Sequence, residues 1–213
     1  MKAHLAKITA LTFLLGVASA HSQTLNWASL TQSEIVDSQG VALDENTFVF
    51  ELGAFDATFV PDQQNIGQWL DHWHVFDTAD YSYDSGSATS YFTATENVQN
   101  VANYTTMFQG LQGFLWIRNS SGTEYFLANA AQWLFPTLDP GCCKNGEVTT
   151  WSVSNLDDDE PIWGSQGDHH GGGEYDAPGP YDIQTHAVPE AGSSLLALLG
   201  CGLVMLRRRR ANA

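Results

Sequence analysis

Basic residues are nearly missing from the body of this 213-residue chain: Lys and Arg total 8 against 24 Asp and Glu. Six of the eight stand at the ends, as Lys2, Lys7 and Arg207 to Arg210. Between His21 and Ala187 only Arg118 and Lys144 remain, against 23 acids, for a net charge near −21. Nucleic-acid binding needs the opposite sign and is excluded. A surface this acidic stays soluble, repels itself and attracts cations.

Cysteine is also scarce. Cys142 and Cys143 are adjacent, and Cys201 lies near the C-terminus. No separated pair exists within residues 21–187, so no disulfide framework staples them. The vicinal pair could close a small ring, link two chains or stay reduced in a turn. No Gly-x-Ser-x-Gly elbow, His-Glu-x-x-His pair or phosphate-cradling glycine loop occurs, so these residues carry no catalytic signature. No repeat of fixed period is present. Disorder is excluded for the body of the chain by its frequent Trp, Phe and Tyr.

The two ends are the most legible parts. Lys2 and Lys7 precede an apolar run from Ile8 to Val17, and Ala18-Ser19-Ala20 supplies small residues. That is a secretory signal peptide over residues 1–20, too short to span a membrane, with cleavage by signal peptidase expected after Ala20. At the other end Val188-Pro189-Glu190 precedes an apolar run, Leu195 to Leu206, and then Arg207, Arg208, Arg209 and Arg210. The run has 12 residues, short of the roughly 20 that a bilayer asks for. Residues 192–206 form the expected membrane segment, lengthened by snorkelling arginines. The positive block stays cytoplasmic.

This tail, residues 188–213, resembles the PEP-CTERM sorting signal, although Ala191 stands where that family usually has a second proline. The resemblance implies processing by an exosortase-type enzyme. It also implies a membrane-anchored precursor, with the mature form at the cell surface, in the envelope or in extracellular matrix. The middle of the chain resembles exported proteins that carry this tail and have no assigned activity. The likeness lies in Glu51-Leu52-Gly53-Ala54-Phe55-Asp56, Leu115-Trp116-Ile117, Glu124-Tyr125-Phe126-Leu127 and Trp133-Leu134-Phe135-Pro136.

Residues 21–187 suffice for one domain with a sizeable core. Thr47 to Leu52 alternates as a strand should, and Ser87 to Thr95 is a β-branched and aromatic run. Gly113 to Arg118 is apolar on both faces, the mark of a central strand. It predicts a hairpin with Glu124 to Ala128 across the turn residues Asn119 to Gly122. Glu147 to Val153 and Tyr181 to His186 are further strands. Ile66, Trp69, Leu70 and Trp73 fall on one helical face, with Asp62 or Asn65 as cap. Residues 157–180 read as a Gly/Pro/acidic loop region. The expected fold is mainly β: one β-sandwich or jelly-roll-like domain with one short helix.

Candidate sites are few. His72 and His74 flank Trp73, and His169 and His170 adjoin Asp168, residue types that suit transition metals. On a helix, residues two apart face away from each other; in an extended segment they share a side. Asp157, Asp159, Asp168 and Asp176 could supply oxygens to a calcium ion, although Pro161 and Ile162 break the EF-hand pattern. Trp69, Trp73, Trp116, Trp133, Trp151 and Trp163 could stack on sugars, but such rings are usually core, and at most two are expected to be exposed. The leading expectation is a non-catalytic envelope or matrix protein, with extracellular polysaccharide as a partner. The alternative is a carbohydrate-binding or carbohydrate-cleaving β-sandwich domain, calcium-dependent in one form.

Overall fold

The alternation that starts at Thr47 runs on to Phe55, because every side chain from Phe50 to Phe55 has a core to enter. The computed structural model describes residues 23–138, 147–156 and 161–189. Its strands are β1 (Thr24–Ala28), β2 (Ile35–Val36), β3 (Phe48–Phe55), β4 (Trp73–Asp84), β5 (Thr89–Asn97), β6 (Phe114–Asn119), β7 (Glu124–Ala128), β8 (Val148–Ser152), β9 (Ser165–Gln166), β10 (His169–His170), β11 (Ile183–Gln184) and β12 (His186–Ala187). Two single α turns, α1 (Trp69–His72) and α2 (Tyr104–Met107), complete the regular structure with three short 3-10 turns. The protein is mainly β, with curled sheets.

Eight strands form one sheet in the order β12-β7-β6-β3-β4-β5-β1-β8, and four short ones form a second, β10-β9-β11-β2. Among these strands β1 pairs with β8 and β2 with β11 in parallel, and the others pair antiparallel. The large sheet curls at β4. Trp73 to Ala79 pairs with β3, whereas Asp80 to Asp84 pairs with β5. Leu52 faces Asp77 but Gly53 faces Val75, which leaves Phe76 as an extra residue. Such a bulge bends the strand and adds twist. Gly53 makes it possible: a Cβ there would collide with the His74 carbonyl and the Trp73 ring.

The curl brings both halves of the sheet onto one core. Phe50 stacks on Tyr81 at 4.7 Å and packs against Phe92 at 5.1 Å, while Trp133 stacks on Trp151 at 5.4 Å. A second core covers the opposite face of β3, β6 and β7, with Phe55, Trp69, Trp116, Tyr125, Leu127 and Trp163. Hence β6 is buried on both faces, as its sequence predicts. On that same side the Arg118 guanidinium binds buried Glu51 through Nε at 3.2 Å and Nη2 at 2.9 Å. The expected hairpin of β6 and β7 forms, with Leu115 opposite Ala128.

Three expectations need correction. The helix is a 3-10 turn over Ile66–Gln68 followed by α1, and Trp73 already belongs to β4. With so little helix there is no continuous apolar face; Trp69 is buried and Leu70 is 55% exposed. Asn65 makes no side-chain cap, and its Oδ1 accepts the Trp69 indole N–H instead. The described part of residues 157–180 is not simply loop, since Ser165–Gln166 and His169–His170 pair as a hairpin. Tyr181 to His186 is two short strands in different sheets, because Thr185 separates β11 from β12.

Candidate ligand cleft and the histidine clusters

Where β3 ends and β4 begins, three polar side chains meet. α1 stops at His72, and Trp73 is extended at φ −87° and ψ 132°. That change of backbone lets His72 and His74 reach one carboxylate. His72 Nδ1 lies 2.8 Å from Asp56 Oδ2, and His74 Nε2 lies 2.6 Å from Asp56 Oδ1. The carboxylate accepts from both rings. Those hydrogen bonds, that of His74 first and then that of His72, hold the Asp56 carboxyl below its ordinary 3.8. Phe59 stacks on the His72 ring at 4.2 Å. A backbone bond from Asp56 N to the His72 carbonyl closes the corner at 3.0 Å.

Beside this clamp lies a cleft of about 310 Å³. Phe55, Phe59, Val60, Leu111 and Phe114 line it, and among the described residues Asp56 is the single charged one in its wall. Gln112, also in the wall, turns its amide nitrogen to the carbonyls of Gly113, Ala130 and Trp133. An apolar pocket with one fixed polar group is the usual form of a small-molecule site, and this volume sits at the lower end of the roughly 300–1,000 Å³ range.

A second group forms around His186, which is wholly buried. Its Nδ1 donates to the Gly172 carbonyl at 2.8 Å, and Ser165 Oγ lies 3.1 Å from Nε2. Tyr175 stacks on His186 at 4.2 Å and His170 on Tyr175 at 5.4 Å. Burial lowers the His186 pKa, His170 adds to this, and the Gly172 carbonyl opposes it. The unfolded chain therefore takes up this proton first as pH falls. Stability should be full above the ordinary histidine value of 6.5 and be lost as pH drops from there toward the folded pKa. Melting curves of His186→Gln should show a shallower pH slope across that window, by at most about 1.4 kcal/mol per pH unit, the slope of one proton. An unchanged slope would remove His186 from the acid response.

The other expected site residues form no metal-holding group among the described residues. Asp168 is exposed in the turn between β9 and β10, and Asp176 is exposed with its N–H on the Ser38 carbonyl. Asp157 and Asp159 lie outside the described residues. His169 is exposed in β10. Among the described residues no three His, Cys, Asp or Glu side chains could hold a metal ion together. Of the tail motif, Val188 packs against the second core and its N–H reaches the Thr123 carbonyl, while Pro189 is exposed. Glu190 and Arg207 to Arg210 lie outside the described residues. Among the described residues no helix is long and apolar enough to cross a membrane. Trp69, Trp116, Trp133, Trp151 and Trp163 are buried, and Trp73 is half-buried with its indole N–H on Glu51. No protein-family model matches the chain, and no curated protein and no solved structure matches it.

Proposed function

We propose that this chain is an exported cell-envelope or extracellular-matrix protein, without catalytic activity, sorted by its PEP-CTERM-like tail. Its domain is read as a single β-sandwich or jelly-roll-like domain. The observation that carries the reading is where the strands lie relative to the two end signals. Among the described residues the first strand starts at Thr24, just past Ala20, and the last ends at Ala187, with Val188 packed on the domain. A folded body in that position fits a signal peptide before it and a sorting segment after it. Signal peptidase, an exosortase-type enzyme and the membrane are the partners this implies, with extracellular polysaccharide as the surrounding medium.

The carbohydrate alternative gains little from tryptophan, since five of the six candidate rings are buried and Trp73 is half-buried with its N–H on Glu51. Calcium binding at Asp157, Asp159, Asp168 and Asp176 stays part of that alternative. The test of the leading reading is direct. Mass spectrometry of the native protein should place the N-terminus at or near His21. Neutral replacements of Arg207 to Arg210 should impair orientation or processing, because a positive block sets which end stays inside. Met1 to Ala20 retained on a cytoplasmic protein, or unchanged surface delivery of the arginine variant, would each overturn it.

A further inference from the structure

We propose that the cleft beside Asp56 binds a small organic cation, an ammonium group on an apolar body. The inference does not depend on the export reading. The body of the ligand follows from the walls. Phe55 meets Phe59 at 5.4 Å and Phe114 edge-on at 5.2 Å, so three phenyl rings surround the space. The charge of the ligand follows from Asp56. Its side chain is 45% exposed, and among the described residues no other charged residue lines the cleft. Two histidines already fix the carboxylate, so a cation meets an oriented acceptor rather than a mobile one.

Lysine and arginine offer little competition: within residues 21–187 they are Arg118 and Lys144 alone, and Arg118 is engaged with Glu51. His72 and His74 each donate one hydrogen bond to the carboxylate and leave its side chain 45% exposed. A net charge near −21 on that segment steers cations toward it and repels anions. The phenyl faces add cation–π attraction. A second copy of the chain is disfavoured as occupant by the same charge, and a cleft of about 310 Å³ holds little more than one small molecule.

Benzylamine, benzyl alcohol and benzoate separate these contributions, being alike in body and different in head. Saturation-transfer NMR on the full-length chain in a neutral detergent should show benzylamine binding about fivefold more tightly than benzyl alcohol, the value of one ion pair near 1 kcal/mol. Benzoate should bind most weakly. High salt should reduce the preference only in part, because it screens diffuse attraction more than direct contact. Asp56→Asn should abolish the preference. Val60→Lys is the control for folding, since Val60 is 76% exposed at the rim and touches neither histidine clamp bond. It should weaken benzylamine by a clearly larger factor than benzyl alcohol. Equal binding of benzylamine and benzyl alcohol would overturn the proposal. So would a benzylamine preference that survives both substitutions or vanishes entirely in salt.

Discussion

Arg118→Met should destabilise the domain by about 3–5 kcal/mol, the usual cost of unpairing a buried charge. Glu51 is 5% exposed, between the sheet and the second core. Its carboxylate accepts from Arg118 Nε and Nη2 and, at 3.0 Å, from the Trp73 indole N–H. The guanidinium is held in turn by the Trp116 ring 5.6 Å away. Methionine keeps much of the stem that covers Trp116 but supplies no positive charge. One indole N–H then faces a carboxylate that water cannot reach freely. At roughly 2–4 °C per kcal/mol for a domain of this size, the melting temperature should fall by about 10 °C. The double variant Glu51→Gln, Arg118→Met removes the orphan charge and should recover most of the loss. A recovery of that kind separates charge burial from lost packing, which the double variant would not restore. A single variant that melts with the wild type would show that Glu51 is solvated.

That one arginine also shows what the sequence made legible. Apolar runs on both faces predict β6 as a central strand, alternation predicts β3 and β5, and the turn residues Asn119 to Gly122 predict β7 as the hairpin partner of β6. These signals are local, one residue after another along a strand. β4, the longest strand, was not read, although residues 73–84 contain aromatics enough. Its bulge at Phe76 breaks the period of two, so that Phe76 and Ala79 are both buried while Val75 and Thr78 are exposed. β1 was missed because Leu25 and Trp27 are only two buried positions in five. The helix was overread for the opposite reason: spacings of three and four fit Ile66, Trp69, Leu70 and Trp73, but the chain leaves helical geometry at Trp73.

The cleft was harder still. His72 and His74 drew notice as a spaced pair, and the extended alternative put them on one side. Their partner Asp56 lies 16 and 18 residues away, joined only by the antiparallel pairing of β3 with β4. No local pattern marks that pairing. An acid just after one strand, with histidines on either side of the first residue of another, is the sole hint, and it is weak without the register.

Trp69→Ala tests the packing that holds this corner, and its effect should match that of Arg118→Met at about 3–5 kcal/mol. Trp69 is fully buried. Its ring meets Trp116 at 5.9 Å, Tyr125 at 6.2 Å and Trp163 at 6.2 Å, and its N–H reaches Asn65 Oδ1 at 2.7 Å. One turn of helix has little stability of its own, so α1 keeps its place through this side chain. His72 is the last residue of that turn, and the Asp56 clamp therefore depends on it. Histidine imidazole NMR signals should report the loss, with His72 and His74 changing in the variant while His186, in the second cluster, stays put. Leu70→Ala is the comparison. It lies one residue further on, is 55% exposed, and should cost no more than about 0.5 kcal/mol. Equal losses at the two positions would mean that Leu70 faces the core and that the helix extends past Trp73. The two histidines would then point apart and could not share Asp56.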